Sequence, residues 1–76
     1  APRYFYGMSE KLQKAVGETV RAARKAAGMT QTELGELAGM KQPNIAALEK
    51  GKGNLSLDQL EKIAVALGKD VKVLLQ

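Results

Sequence analysis

The 76-residue sequence contains neither histidine nor cysteine, so its chemistry rests on amides, ammoniums, guanidiniums and carboxylates. Without imidazole or thiolate, a zinc site and a general base of the usual kind are excluded, and the eight Asp and Glu are scattered rather than clustered. The composition points away from an enzyme, and neither a metal nor a cofactor is expected. What remains is recognition by charge and hydrogen bonds. Six basic and two acidic residues lie in 1–28, two and three in 29–50, and four and three in 51–76, leaving a near-neutral middle between basic flanks. Such a layout suits a unit that reads bases with amides and grips phosphates at its edges; a solvated basic surface would share it.

The middle residues must be positioned by QTELGELAGMKQPNIAALEK, from Gln31 to Lys50, which reads as two short helices joined by a tight turn at Gly39. Thr30 is an N-cap type of residue with Glu33 three positions on, the spacing of a capping box. Leu34, Leu37 and Ala38 then fall on one helical face. Gly39 stands where the first helix must stop and the chain reverse, a place for positive φ, which a residue without Cβ adopts without strain. Ile45 and Leu48 supply the buried stripe of the second helix, Met40 packs just before it, and the small Gly35 and Ala38 let the two axes approach. This is the layout of a helix-turn-helix. An ordinary helical hairpin has the same periodicity, so spacing alone leaves both open.

The chain is long enough for one small domain with a thin core, and with disulfides and metals excluded, dimerisation is the expected supplement. That domain is read as residues 9–76, after a flexible tail or expression remnant at 1–8. APRYFYG, residues 1–7, holds every aromatic in the sequence. A remnant ahead of Met8, a tail cut from a longer protein and an arm that docks on a partner all fit it. Ser9 caps a helix running to about Ala27, with Gly28 just past its end and Leu12, Val16, Val20, Ala23 and Ala27 on its inner face. Arg21 and Lys25 lie outward. Gly51-Lys52-Gly53-Asn54 is a loop by composition. Ser56 and Gln59 form a second capping box for a helix that buries Leu57, Leu60, Ile63, Ala64 and Leu67 and ends at Gly68. In the last stretch, Val71, Leu74 and Leu75 fit a short helix capped by Asp70, while Val71, Val73 and Leu75 alternate as in a strand; the helix is the expectation and the strand its alternative. No apolar stretch is long enough to span a bilayer and no secretory signal is visible, so no membrane partner and a cytoplasmic location are expected.

The run from Gly28 to Leu67 resembles the Cro/C1 type (XRE-like) helix-turn-helix family of phage repressors, restriction controllers and antitoxins. The resemblance extends over roughly Val16 to Leu75. It is carried by the order and spacing of several marks: Gly28-Met29-Thr30-Gln31, the small Gly35, the turn Gly39, Gln42 with Ile45, Leu48-Glu49 with Gly51, and Leu60 with Ile63-Ala64 and Ala66-Leu67-Gly68. It implies an all-α, five-helix lambda-repressor-like domain, with the C-terminal strand as the variant.

The resemblance also implies a mode of DNA binding, in which the second helix enters the major groove by its N-terminal end. That end is Lys41-Gln42-Pro43-Asn44. Gln42 is the principal expected reader, because one carboxamide can pair with adenine N6 and N7 together; Asn44 and Lys41 are secondary, and the Pro43 ring suits a thymine methyl. Lys41 departs from the family's usual Ser or Thr cap. Ala46 and Ala47 replace polar side chains of many relatives, so Ala47 stands at a base-facing place without a polar group, and low or shape-dependent specificity is expected. Gln31, Lys50 and Lys52 would hold phosphates, and Arg24 would form a structural ion pair with Glu49. A twofold dimer on an inverted repeat follows, with Val71, Val73, Leu74 and Leu75 as dimer contacts. The expected function is a dimeric regulator of transcription that binds double-stranded DNA, most often a repressor. The alternatives are a HigA-like antitoxin that neutralises a protein toxin, and a helical interaction module that no longer binds DNA.

Overall fold

The computed structural model describes residues 9–53 and 55–75, and the expectation of a tail or remnant at 1–8 lies outside them, as does Asn54 of the loop. Five helices follow in order: α1 Glu10–Ala26, α2 Gln31–Ala38, α3 Gln42–Glu49, α4 Leu57–Ala66 and α5 Val71–Leu74. The fold is the all-α, five-helix arrangement expected, and Val71–Leu74 is helical rather than extended.

Local chemistry sets the helix ends. The Ser9 hydroxyl accepts from the Leu12 amide at 3.0 Å. Both capping boxes close: Thr30 and Glu33 exchange two bonds of 3.0 Å, and Ser56 and Gln59 two of 3.1 Å. These bonds satisfy amides that a helix start leaves without partners. Gly39 takes φ 69° and ends α2, which turns the chain into α3 within three residues. Lys41 caps α3 with no side-chain hydrogen bond, and Pro43 sits in the first turn, where a missing N–H costs nothing.

The core joins Val16 and Val20 of α1, Leu34 and Ala38 of α2, Ile45 and Leu48 of α3, Leu60, Ile63 and Ala64 of α4, and Leu74 of α5. α2 packs against both α3 and α4, α1 against α3, and α5 against α4 and α1. Two glycines permit the closest approaches. A Cβ on Gly35 would overlap the Met40 carbonyl oxygen, so this residue lets the turn fold onto α2. Gly17 does the same for α1 on α3: a Cβ there would overlap the Leu48 carbonyl oxygen and lie 2.9 Å from that of Glu49.

Four expectations are corrected. Leu37 is 63% exposed. It lies beside the stripe made by Leu34 and Ala38, in an open groove that it lines with Asp58, Glu61, Lys62 and Val65 of α4. Ala27 and Leu57 are exposed too, each at the end of its helix: Ala27 is the C-cap of α1 and Leu57 the first residue of α4. Leu74, expected at a dimer contact, is wholly enclosed in the core of a single chain, because α5 folds back over α4 and α1. Val73 is 41% exposed, and Val71 and Leu75 are half-buried.

Candidate nucleic-acid interface

The interface is built outward from a buried ion pair. Arg24, in the last turn of α1, donates from Nε to Glu49 Oε2 at 2.6 Å and from Nη2 to Oε1 at 3.0 Å. Their side chains are 9% and 3% exposed. A third guanidinium donor, Nη1, bonds the Met29 carbonyl at 2.8 Å, tying the α1–α2 connection to the same group. Planar bidentate pairing of this kind fixes direction as well as distance. Desolvation pushes the Glu49 carboxyl up, but hydrogen bonds from Arg24 and Gln31 and the charges of Arg24 and Arg21 outweigh it and hold the group below the ordinary carboxylate range. The Glu49 hydrogen bond likewise raises Arg24, against desolvation and with the help of the Glu49 charge. The pair is therefore charged on both sides at neutral pH.

From that pair the hydrogen bonds run to the surface. Gln31, first residue of α2, donates from Nε2 to Glu49 Oε1 at 3.1 Å. Its Oε1 accepts from Gln42 Nε2, first residue of α3, at 2.8 Å. Two residues assigned to different tasks, a phosphate holder and a base reader, are thus in direct contact, and that contact leads back to the clamp. The sequence offered no signal for this link beyond the presence of two glutamines at helix starts.

Around Gln42, the side chains of Lys41, Pro43 and Asn44 are all exposed. They share one turn and face solvent together. Ala47, half-buried, lines a shallow cleft with Asn44, Lys52 and Gly53, floored by Met40 and Leu55. Lys52 therefore stands near Asn44, while its amide bonds the Ala47 carbonyl at 2.9 Å. Lys50 is exposed at the C-terminal end of α3, remote in sequence from the first turn. The assembled surface can offer amide and ammonium donors to a groove and to flanking phosphates, and the uncharged Ala46 and Ala47 behind them leave the middle of α3 smooth.

A family model described as helix-turn-helix matches residues 20–74. The chain belongs to the Cro/C1-type helix-turn-helix family. Among relatives of this domain is an uncharacterised HTH-type transcriptional regulator of Haemophilus influenzae, 37% identical over 62 residues; these cover 82% of the chain and 63% of that protein. Among solved structures, the biofilm regulator SinR in complex with DNA is 31% identical with a TM-score of 0.75; the match covers 80% of the chain and 98% of that one. The same helical domain also matches part of an enzyme, the hydroxypropylphosphonic acid epoxidase of S. wedmorenis, at 29% identity and a TM-score of 0.82, over 90% of the chain but 36% of the epoxidase. Among the described residues no helix is long and apolar enough to cross a membrane.

Proposed function

We propose that this domain binds double-stranded DNA sequence-specifically and regulates transcription, as a homodimeric repressor that occupies an inverted repeat. The observation that carries it is the Gln31–Gln42 amide pair at the exposed start of α3, beside Lys41 and Asn44. The first turn of α3 enters the major groove, with Gln42 on an adenine and Asn44 and Lys41 beside it. Lys50 holds a phosphate at the far end of the helix, Lys52 holds one beside Asn44, and Gln31, with its backbone amide at the α2 N-terminus, holds another. One subunit offers few contacts, so two half-sites about 34 Å apart are needed for tight binding. Val73, the most exposed apolar residue of α5, with the half-buried Val71 and Leu75, supplies the dimer contact. Its place of action is the cytoplasm, with the DNA, and its task is binding rather than catalysis.

The experiment is selection of bound duplexes from a random pool. Wild type should yield an inverted repeat, and Gln42→Ala should lose preference at one base pair per half-site, about 1–3 kcal/mol of discrimination. An unchanged sequence preference removes Gln42 from the readers.

A further inference from the structure

Glu49 is buried, with its side chain 3% exposed, yet the polarity of the amide chain begins at its carboxylate. An ionised carboxylate only accepts hydrogen bonds, so the group facing it must be a donor. Gln31 therefore turns its Nε2 inward, 3.1 Å from Glu49 Oε1, and its Oε1 outward. That outward oxygen in turn demands a donor from Gln42, whose Nε2 lies 2.8 Å away. The buried, bidentate grip of Arg24 holds the carboxylate ionised and in place. We infer that Glu49 is a positioning residue for base selection: through Gln31 it fixes which way the Gln42 amide faces, and so makes this position select adenine against guanine.

Hydrogen-bond counting gives the selectivity. Each carboxamide has two N–H donors and one oxygen acceptor. With one Gln42 N–H committed to Gln31, one N–H and the oxygen remain for the groove. Adenine matches that pair, with N7 accepting and N6 donating. Guanine presents two acceptors, N7 and O6, and would place O6 against the Gln42 oxygen. If Gln31 were reversed, it would donate to the Gln42 oxygen, and both Gln42 N–H groups would be free to meet guanine. The charge on Glu49 forbids that reversal. The second N–H of Gln31 stays available in the arrangement observed, which is compatible with its bonding a phosphate at the same time.

This inference rests on the proposed reading of DNA by Gln42, and the test separates the two. Affinities for duplexes carrying A·T or G·C at the base pair lost in Gln42→Ala are measured for wild type, Glu49→Gln and Gln31→Met, with circular dichroism melts of each. Gln31→Met leaves the Arg24–Glu49 pair intact, so it remains informative if Glu49→Gln does not fold. Wild type should prefer adenine by about 5- to 150-fold. In Gln31→Met, and in Glu49→Gln where it folds, the preference should drop several-fold at that base pair alone, with the rest of the selected sequence unchanged. A merely structural role for Glu49 would lower affinity for all sequences without moving the adenine-to-guanine ratio. If Gln42→Ala alters one base pair but Gln31→Met keeps the wild-type ratio there, the positioning role is overturned and the DNA reading stands. If Gln42→Ala alters no base pair, both are overturned.

Discussion

Replacing either partner of the Arg24–Glu49 pair by alanine should cost a large part of the domain's stability, and replacing both should cost less than the sum. In wild type the pair closes bonds of 2.6 and 3.0 Å under cover that leaves the side chains 9% and 3% exposed. Glu49→Ala strands a guanidinium whose remaining bond is to the Met29 carbonyl. Arg24→Ala strands a carboxylate whose remaining bond is from Gln31. Breaking a buried pair from one side costs about 3–5 kcal/mol. A domain of this length has in all about 4–11 kcal/mol, at roughly 0.05–0.15 per residue. One substitution then takes at least a quarter of the stability, and Tm should fall by about 12 °C or more. The double variant strands neither charge, so about 1–3 kcal/mol of the summed losses should return. Urea denaturation followed by circular dichroism measures all four proteins, compared by midpoint at equal slope. Because the Glu49 carboxyl is held below its ordinary range, its contribution is complete above the unfolded-state value of about 4.3 and disappears as pH falls through the lower folded value. The margin of wild type over Glu49→Ala should therefore narrow as pH falls below about 4. Strict additivity, within about 0.5 kcal/mol, refutes the coupling.

Lys50→Ala and Lys52→Ala should weaken binding to all sequences alike and reduce the slope of log K against log salt by about 0.9 per subunit and lost contact; a salt series checks this, and a wild-type slope would mean the lysines are only solvated. Gly17→Ala should lower the urea midpoint despite a helix-propensity gain of about 1 kcal/mol, because the new methyl meets the Leu48 carbonyl oxygen, a backbone atom that moves only with α3. A raised midpoint would show that α1 and α3 are not held at this distance. Truncation after Gly68 would remove the enclosed Leu74 and cost about 2–5 kcal/mol, so it confuses folding with assembly. Val73→Asp avoids this, and sedimentation should show a folded monomer with much weaker binding to an inverted repeat; a folded dimer would place the contact elsewhere.

The helix ends and the centres of the buried stripes were legible because the forces that set them act within one turn. Thr30 with Glu33 and Ser56 with Gln59 are complete as local pairs, and Val16 with Val20, or Leu34 with Ala38, declare a face by spacing alone. The margins were not legible. Whether Leu37 or Leu57 is covered depends on what packs against its helix, which no period in its own helix reveals. Leu55, buried in the core from an irregular connection, has no period to be read from. Gly17 lies between inner-face Val16 and exposed Glu18, and its role is visible only when α3's carbonyls are seen above it.

The site was legible as residue types and not as directions. Arg24 and Glu49 are 25 positions apart, and their pairing came from the family resemblance rather than from spacing. A glutamine amide is nearly symmetrical in shape but not in hydrogen-bonding character, so the sequence can name Gln31 and Gln42 without saying which atom of either faces which partner. That choice belongs to the charged group at the buried end of the chain of bonds. Because Glu49 both clamps α1 to α3 and accepts from Gln31, a substitution there should, on the proposed reading, change stability and base selection together. Gln31 lies on the second path alone, since the ion pair closes without it. On the proposed reading, variation at position 31 should therefore retune the base preference of Gln42 at little cost to the fold, whereas variation at position 49 should not.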